Sequence, residues 1–171
     1  MMNEIGHHKN SPQLNEVEIV QNAALGAVLL WRFSTCYDKS SAVQGVPMPL
    51  LFIVLPLLLN EYTRDVIHST NPSSGLSLFS MKLLKRKEEL LSIHSRMLRL
   101  RLLTLKSLSV AVNKELLKIS VIDGLILSSK PPRGNSLPQE ARSLIKGSDK
   151  LGGWCAELGL SEIENFLRVR F

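Results

Sequence analysis

An apolar run of fourteen residues, positions 46–59, constrains the fold more than any other segment of this chain. It contains Pro47, Pro49 and Pro56, and the polar segment 60–64 follows it. A helix that spans a membrane needs about 20 apolar residues, whereas a run of about 10 to 14 is more typical of a buried core helix. Proline is tolerated in a first helical turn but removes a hydrogen bond further in. The run therefore predicts a bent, buried helix from about Pro49, with residues 63–65 ending its buried part.

Length and composition favour one mainly helical domain. The chain has 171 residues, of which 44% are hydrophobic but only 5% aromatic, so leucine must supply most of the core. Leucine-rich, aromatic-poor chains favour helices over sheets. Cys36 and Cys155 stand far apart in no zinc-like spacing, which indicates reduced thiols. Residues 1–15 are polar and have no secretory h-region, so we predict a flexible leader and a cytoplasmic protein without a membrane span.

The spacing of apolar residues predicts helices joined by short connections. Asn22 is a good N-cap for a buried helix over 23–33, in which Gly26 permits the close approach of another backbone. Residues 40–45 and 69–75 are predicted as a loop and a turn. From 76 to 122, aliphatic residues recur at intervals of three and four, which predicts three helices with breaks near Lys85 and Thr104.

The remaining residues predict a small β element and a C-terminal helical segment. A short β-hairpin is predicted around 121–136. With it, the order of elements in residues 16–136 fits either a winged helix or a plain helical bundle. Residues 137–171 are predicted as helices that pack on this core, with a break near Gly147. Ser161 and Glu164 fit a capping box that begins the last helix.

The basic charge lies in the second half of the chain. Residues 1–70 hold four Lys/Arg against six Asp/Glu, a net charge of −2, whereas the rest holds seventeen against nine, a net charge of +8. Such a stripe fits contact with phosphate or with an acidic protein surface, and also an ordinary solvated helix face. The candidate DNA- or partner-binding residues are Lys85, Arg86, Lys87, Arg96, Arg99, Arg101, Lys130 and Arg133.

No catalytic motif is present in the sequence. It has no phosphate-binding loop, no dinucleotide fingerprint, no nucleophile elbow and no H-E-x-x-H motif. The four histidines offer no metal spacing beyond the adjacent pair His7 and His8. We therefore expect a protein that is not an enzyme and uses no metal or cofactor.

Three blocks of the sequence resemble a known family. Residues 22–33 are NAALGAVLLWRF, residues 47–59 are PMPLLFIVLPLLL, and residues 151–154 are LGGW. In this order they resemble the middle component of bacterial three-component ABC ATPase systems. The resemblance implies a non-enzymatic adaptor between an ABC ATPase of the RecN and chromosome-maintenance (SMC-like) type and an effector encoded nearby, in a system that acts against invading DNA.

Three hypotheses on function follow from these observations. The first is the adaptor, with auxiliary nucleic acid contact inside the complex. The second is a winged-helix DNA-binding protein that acts through the basic second half, with a wing near Lys130 and Arg133. The third is a membrane protein anchored by residues 46–59, which the length of that run disfavours.

Overall fold

The computed structural model describes residues 22–129 and 139–171. The predicted leader, residues 1–15, lies outside these ranges, as do Lys130 and Arg133. The helices of the described residues are α1 Ala23–Ser40, α2 Leu51–Leu58, α3 Glu61–Ser69, α4 Gly75–Leu83, α5 Lys87–Arg99, α6 Arg101–Asn113, α7 Gln139–Ala156 and α8 Leu160–Leu167. The strands are β1 Val46–Pro47, β2 Leu117–Ser120 and β3 Leu125–Ser128. The predicted mainly helical fold with a small hairpin is confirmed.

The first helix begins at the predicted cap. The side-chain oxygen of Asn22 accepts hydrogen bonds from the backbone N–H groups of Ala24 and Leu25, both at 3.0 Å. The helix continues past the predicted end at Phe33 to Ser40. Gly26 lies against α6, where a Cβ atom would be 2.1 Å from the Ser107 hydroxyl oxygen. Another helix does approach closely at this glycine, but the nearest atoms belong to the Ser107 side chain and not to its backbone.

The apolar run forms the centre of the core. Its first residues form β1 and a short 3-10 helix, Met48–Leu50, and its second half forms α2, in which only Phe52 is not fully buried. Helix α2 packs against α1, α3, α5, α6 and α7. Among the described residues, no helix combines the length and the apolar character needed to cross a bilayer.

The predicted end of the buried part, at residues 63–65, was wrong. Asn60 is the N-cap of α3, and its side-chain oxygen accepts a hydrogen bond from Thr63 N at 2.9 Å. The buried region continues into α3. The Thr63 side chain is itself buried and donates to the Leu57 carbonyl oxygen at 2.6 Å. Val66 and Ile67 then continue the core.

The segment 76–122 contains the predicted helices and one element of another kind. A 3-10 turn, Leu84–Arg86, makes the first break where it was predicted. The second break lies at Leu100 and not near Thr104, because Leu100 leaves helical geometry with φ −91° and ψ 4°. Residues 117–120 are not helical but form β2.

The sheet explains why the hairpin lies earlier than predicted. Strand β3 pairs in an antiparallel manner with both β1 and β2, and Ile126 is opposite Val46 on one side and Ile119 on the other. The hairpin therefore covers residues 117–128, ahead of the predicted 121–136. Its turn closes with a hydrogen bond from Gly124 N to the Ser120 carbonyl oxygen at 2.9 Å, and Gly124 takes a φ of +65°.

Helix α7 passes through Gly147 without the predicted break. The glycines serve close packing, because a Cβ at Gly147 would lie 2.7 Å from a Leu58 methyl group and one at Gly152 would lie 2.3 Å from the Phe33 carbonyl oxygen. Polar contacts secure the pairing of α7 with α1. The Ser148 hydroxyl donates to the Leu29 carbonyl at 2.6 Å, and the guanidinium of Arg32 pairs with the carboxylate of Asp149.

The last helix begins earlier than the predicted capping box. Gly159 is its N-cap, and the Gly159 N–H donates to the Glu162 carboxylate at 2.8 Å, so the predicted pair Ser161 and Glu164 does not form the cap. Glu164 instead accepts a hydrogen bond from Phe171 N at 2.9 Å. This bond and the buried side chain of Val169 hold the C-terminal residues against the fold.

Candidate interaction surface

A row of exposed leucines runs along α5 and α6. Leu91, Leu98, Leu102 and Leu105 have exposed fractions of 66%, 57%, 71% and 36%. Their separations of seven, four and three residues place them on one helical face. Hydrogen bonds from Leu100 N to the Arg96 carbonyl and from Thr104 N to the Leu100 carbonyl continue the helical pattern across the break. We call these four residues the leucine row.

Most of the predicted basic residues lie exposed around this row. Lys85, Arg86 and Lys87 are exposed where α5 begins, and the Arg86 guanidinium lies 4.6 Å from the centre of the Tyr62 ring. Arg99 and Arg101 are exposed on either side of the break at Leu100. Five of the eight predicted residues are therefore exposed on α5, on α6 or on the turn that precedes α5.

Arg96 is placed differently from these five residues. It is buried, with an exposed fraction of 8%, and its guanidinium pairs with the Glu89 carboxylate at 3.1 Å. Burial lowers the pKa of Arg96, and the nearby Glu89 partly offsets this effect. Its side chain is largely covered, and with Arg99 it contributes to the lining of a cavity beside Pro56 and Asn60. Lys130 and Arg133, the remaining two predicted residues, lie outside the described residues.

An apolar cavity of about 300 Å³ adjoins the leucine row. The chain segment before α2, α2 itself, helices α5 and α6, and the C-terminal residues all contribute to it. We call it the Phe52 pocket, and its lining residues are Met48, Pro49, Phe52, Met97, Leu98, Arg101, Arg170 and Phe171. Leu98 belongs to both the row and the pocket. Apart from the two arginines, every lining side chain is apolar, so the pocket suits an aliphatic or aromatic group.

The tip of the β2–β3 hairpin carries the most exposed aliphatic side chains of the fold. Val121 and Ile122 have exposed fractions of 89% and 96%. The Ser120 hydroxyl donates to the Asp123 carboxylate at 2.8 Å, which fixes the turn beside them. Sequence reasoning missed this tip because it placed Val121 and Ile122 at the end of the helical segment 76–122 and at the start of the hairpin 121–136, and not at its turn. The Asp123-Gly124 pair was the available signal, since Asp-Gly is a strong mark of a hairpin turn.

The fold and these surfaces can be compared with known proteins. The sequence profile of the family described as "ABC-three component (ABC-3C) system Middle Component 3" matches residues 10–171. The chain belongs to this family. The predicted resemblance is therefore confirmed, and the protein is a middle component of a three-component ABC system. No curated protein and no solved structure matches the chain significantly.

The thiols of this middle component are not activated. Cys36 and Cys155 are both free, and burial raises the pKa of Cys36 to about 11 and that of Cys155 to about 12. A thiol must lose its proton to act as a nucleophile or metal ligand, and these pKa values keep both protonated at neutral pH. In the part of the chain that the structure describes, no three His, Cys, Asp or Glu side chains converge as a metal site would require.

We expect His68 to make stability fall as the pH is lowered. Burial, and then the positive charge of Lys150, lowers the pKa of His68 below its ordinary 6.5, and its Nε2 lies 3.0 Å from the Ser143 hydroxyl oxygen. Below about pH 6.5 the imidazole is protonated more readily in the unfolded chain than in the folded one, so acid favours unfolding. Above that pH the imidazole is neutral in both states and does not change the free energy of unfolding. Urea denaturation at pH 7.5 and 5.5 should show a smaller loss of stability for His68→Gln than for the wild type. An equal loss in both proteins would contradict this assignment.

Proposed function

We propose that this middle component is a non-enzymatic adaptor that links the ABC ATPase of its system to an effector, and that the system acts against invading DNA. The leucine row carries this proposal. Monomeric soluble domains rarely leave a contiguous row of large aliphatic side chains in water, and such rows mark protein–protein contacts. Membership of a three-component family supports the existence of partner proteins for it.

The charge around the row indicates the chemistry of the partner. Lys87, Arg99 and Arg101 are exposed on the same two helices as the leucines. Interfaces commonly have an apolar centre and a charged rim, and rim charges mainly govern the association rate and the choice of partner. The proposed partner surface is therefore an apolar groove with acidic edges, which an SMC-like ATPase or the effector would present.

Co-purification tests the proposal directly. The three components are co-expressed with a tag on the middle component, as the wild type and as the triple variant Leu91→Ser, Leu102→Ser, Leu105→Ser. Truncating residues at the centre of an interface commonly weakens binding by about tenfold or more each, so we expect the ATPase or the effector to be lost from the complex. The matched control is Val43→Ser with Met81→Ser, since these side chains are 69% and 60% exposed but lie outside the row. If the triple variant retains both partners, the row is not the docking surface.

The DNA-binding alternative gives a different outcome in a second measurement. Phosphate contacts make binding fall steeply with salt, so a DNA-binding protein would bind at low salt and lose affinity when Lys87, Arg99 and Lys106 become glutamine. Arg96 is unsuitable for this test because it is buried. Under the adaptor proposal, the isolated chain shows little DNA affinity and the leucine variants leave that affinity unchanged. DNA binding that depends on the lysines and arginines, together with intact complexes of the leucine variant, would favour the alternative.

A further inference from the structure

We propose that this chain forms a two-fold symmetric dimer in which the hairpin tip of each copy enters the Phe52 pocket of the other. The proposal does not depend on the adaptor function. Val121 and Ile122 form the inserted part, and their exposed fractions of 89% and 96% are the largest among the exposed aliphatic residues of the described chain. Turn positions normally carry glycine or short polar residues, so two β-branched aliphatic residues there have no local structural reason.

The tip is held in shape before any partner binds. The Gly124 N–H closes the turn on the Ser120 carbonyl at 2.9 Å, and the Ser120 hydroxyl holds the Asp123 carboxylate at 2.8 Å. A fixed protrusion loses little conformational freedom on binding, which favours association. The apolar tip is therefore well suited to fill a cavity on another molecule.

The Phe52 pocket has the size and the lining for such a tip. Its volume of about 300 Å³ can accommodate aliphatic side chains, and Met48, Phe52 and Met97 give it an apolar wall. Methionine adapts its shape to an incoming group, which suits a site that accepts a side chain from outside.

The charges beside the tip and the pocket are complementary. Asp123 follows the aliphatic pair directly, whereas Arg101 and Arg170 are exposed members of the pocket lining. Within residues 22–129 and 139–171, neither guanidinium has a carboxylate within 4.0 Å. Insertion of the tip would bring the Asp123 carboxylate to these arginines. Asp123 also counts against DNA or an anionic membrane as the binding partner of the tip, because both would repel it.

The positions of the tip and the pocket select a second copy of this chain as the partner. The Met48 N–H donates to the Gly124 carbonyl at 3.3 Å, and Met48 also lines the pocket, so the two features are neighbours on one surface. A two-fold dimer requires one patch that is complementary to itself, such that each contact occurs twice. A protrusion beside a matching pocket, with opposite charges, meets that requirement.

Sedimentation velocity over a dilution series tests the dimer. We expect the wild type to reach twice the mass of one chain, and Val121→Ser with Ile122→Ser to raise the dissociation constant by about tenfold or more, because two apolar side chains lose their burial at each of two contacts. The control Val43→Ser changes an aliphatic residue that is 69% exposed in another loop and should leave the constant unchanged. Circular dichroism verifies that each variant keeps its helices.

Charge reversal provides the decisive experiment. Asp123→Arg and Arg101→Asp should each weaken self-association, because each homodimer then sets like charges together at both contacts. An equimolar mixture of the two variants should form a heterodimer, since both contacts in it pair opposite charges. A wild type that remains a monomer at all concentrations, a dimer that is insensitive to the tip, or a mixture that does not associate would overturn the proposal. If the wild type is a monomer and the tip variant no longer binds the ATPase or the effector, the tip is a contact site for that partner instead.

Discussion

Leu55→Asp is expected to abolish the folded state. Leu55 is completely buried in α2, the helix on which five other helices pack. Losing the packing of a core leucine costs about 2–5 kcal/mol, and a buried carboxyl group without a partner costs several more. Domains of this kind have a total stability of about 5–15 kcal/mol, so the substitution removes most or all of it.

Circular dichroism and thermal unfolding measure this effect. We expect Leu55→Asp to lose its cooperative transition and to accumulate as insoluble protein. The matched control is Leu102→Asp, the same substitution at a leucine that is 71% exposed, which should keep the transition of the wild type. A folded Leu55→Asp protein would show that α2 is not the centre of the core.

Adjacent glycines in α7 are expected to respond in opposite directions to alanine. A Cβ at Gly152 would lie 2.3 Å from the Phe33 carbonyl oxygen, and this backbone atom cannot move without displacing α1. Overpacking of this kind costs about 3 kcal/mol, which lowers the Tm by roughly 6–12 °C in a chain of this size. At Gly153 the nearest atom would be the Ser40 hydroxyl oxygen at an ordinary 3.7 Å.

Gly153→Ala is therefore the control for Gly152→Ala. It should raise stability by up to about 1 kcal/mol, because alanine is the better residue inside a helix. Calorimetry of both variants measures the difference. If Gly152→Ala is as stable as Gly153→Ala, the close contact between α1 and α7 does not exist as described.

Features that depend on neighbouring residues could be predicted from the sequence. Asn22 caps α1 through the amides two and three residues ahead, and a side-chain acceptor and its local backbone N–H donors suffice for that prediction. Gly26 stood among alanines, which indicated a face for close packing, although only the fold shows that Ser107 lies there. The hydrophobic run was assigned to the core by its length, its internal Pro56 and the polar segment that follows it.

Features that depend on distant residues could not be predicted. Gly147 indicated a break because glycine is a poor helix former, yet packing against Leu58 outweighs that local preference. The residues of strand β2 continue the helical spacing of the residues before them, so they were predicted as helix. The sheet that contains β2 is supported by the pairing of β3 with Val46, which lies far away in sequence. Arg96 shows the same limit, because its burial depends on which parts of the fold pack around α5 and not on its own polarity.

The leucine row shows why periodicity does not find an interaction surface. The regular spacing of aliphatic residues over 76–122 includes Leu90, Ile93 and Met97, which are buried, and also Leu105, which is 36% exposed. Leu91, Leu98 and Leu102 are chemically identical to the core leucines, so a hydrophobic pattern cannot separate a face that packs inside the chain from one that packs outside it.

The pairing of α1 with α7 has a consequence for the order of folding. Leu29, Trp31 and Phe33 are buried, and α7 covers this helix through Ser148, Asp149 and Gly152. These contacts join residues more than a hundred positions apart, so the search for them is slow compared with the closing of local turns. Until α7 arrives, the faces of α1 and of the apolar α2 that it covers remain exposed. During synthesis this chain therefore depends on its final helices to hide its most aggregation-prone surface, and ribosome stalling before residue 139 would leave that surface open to chaperones.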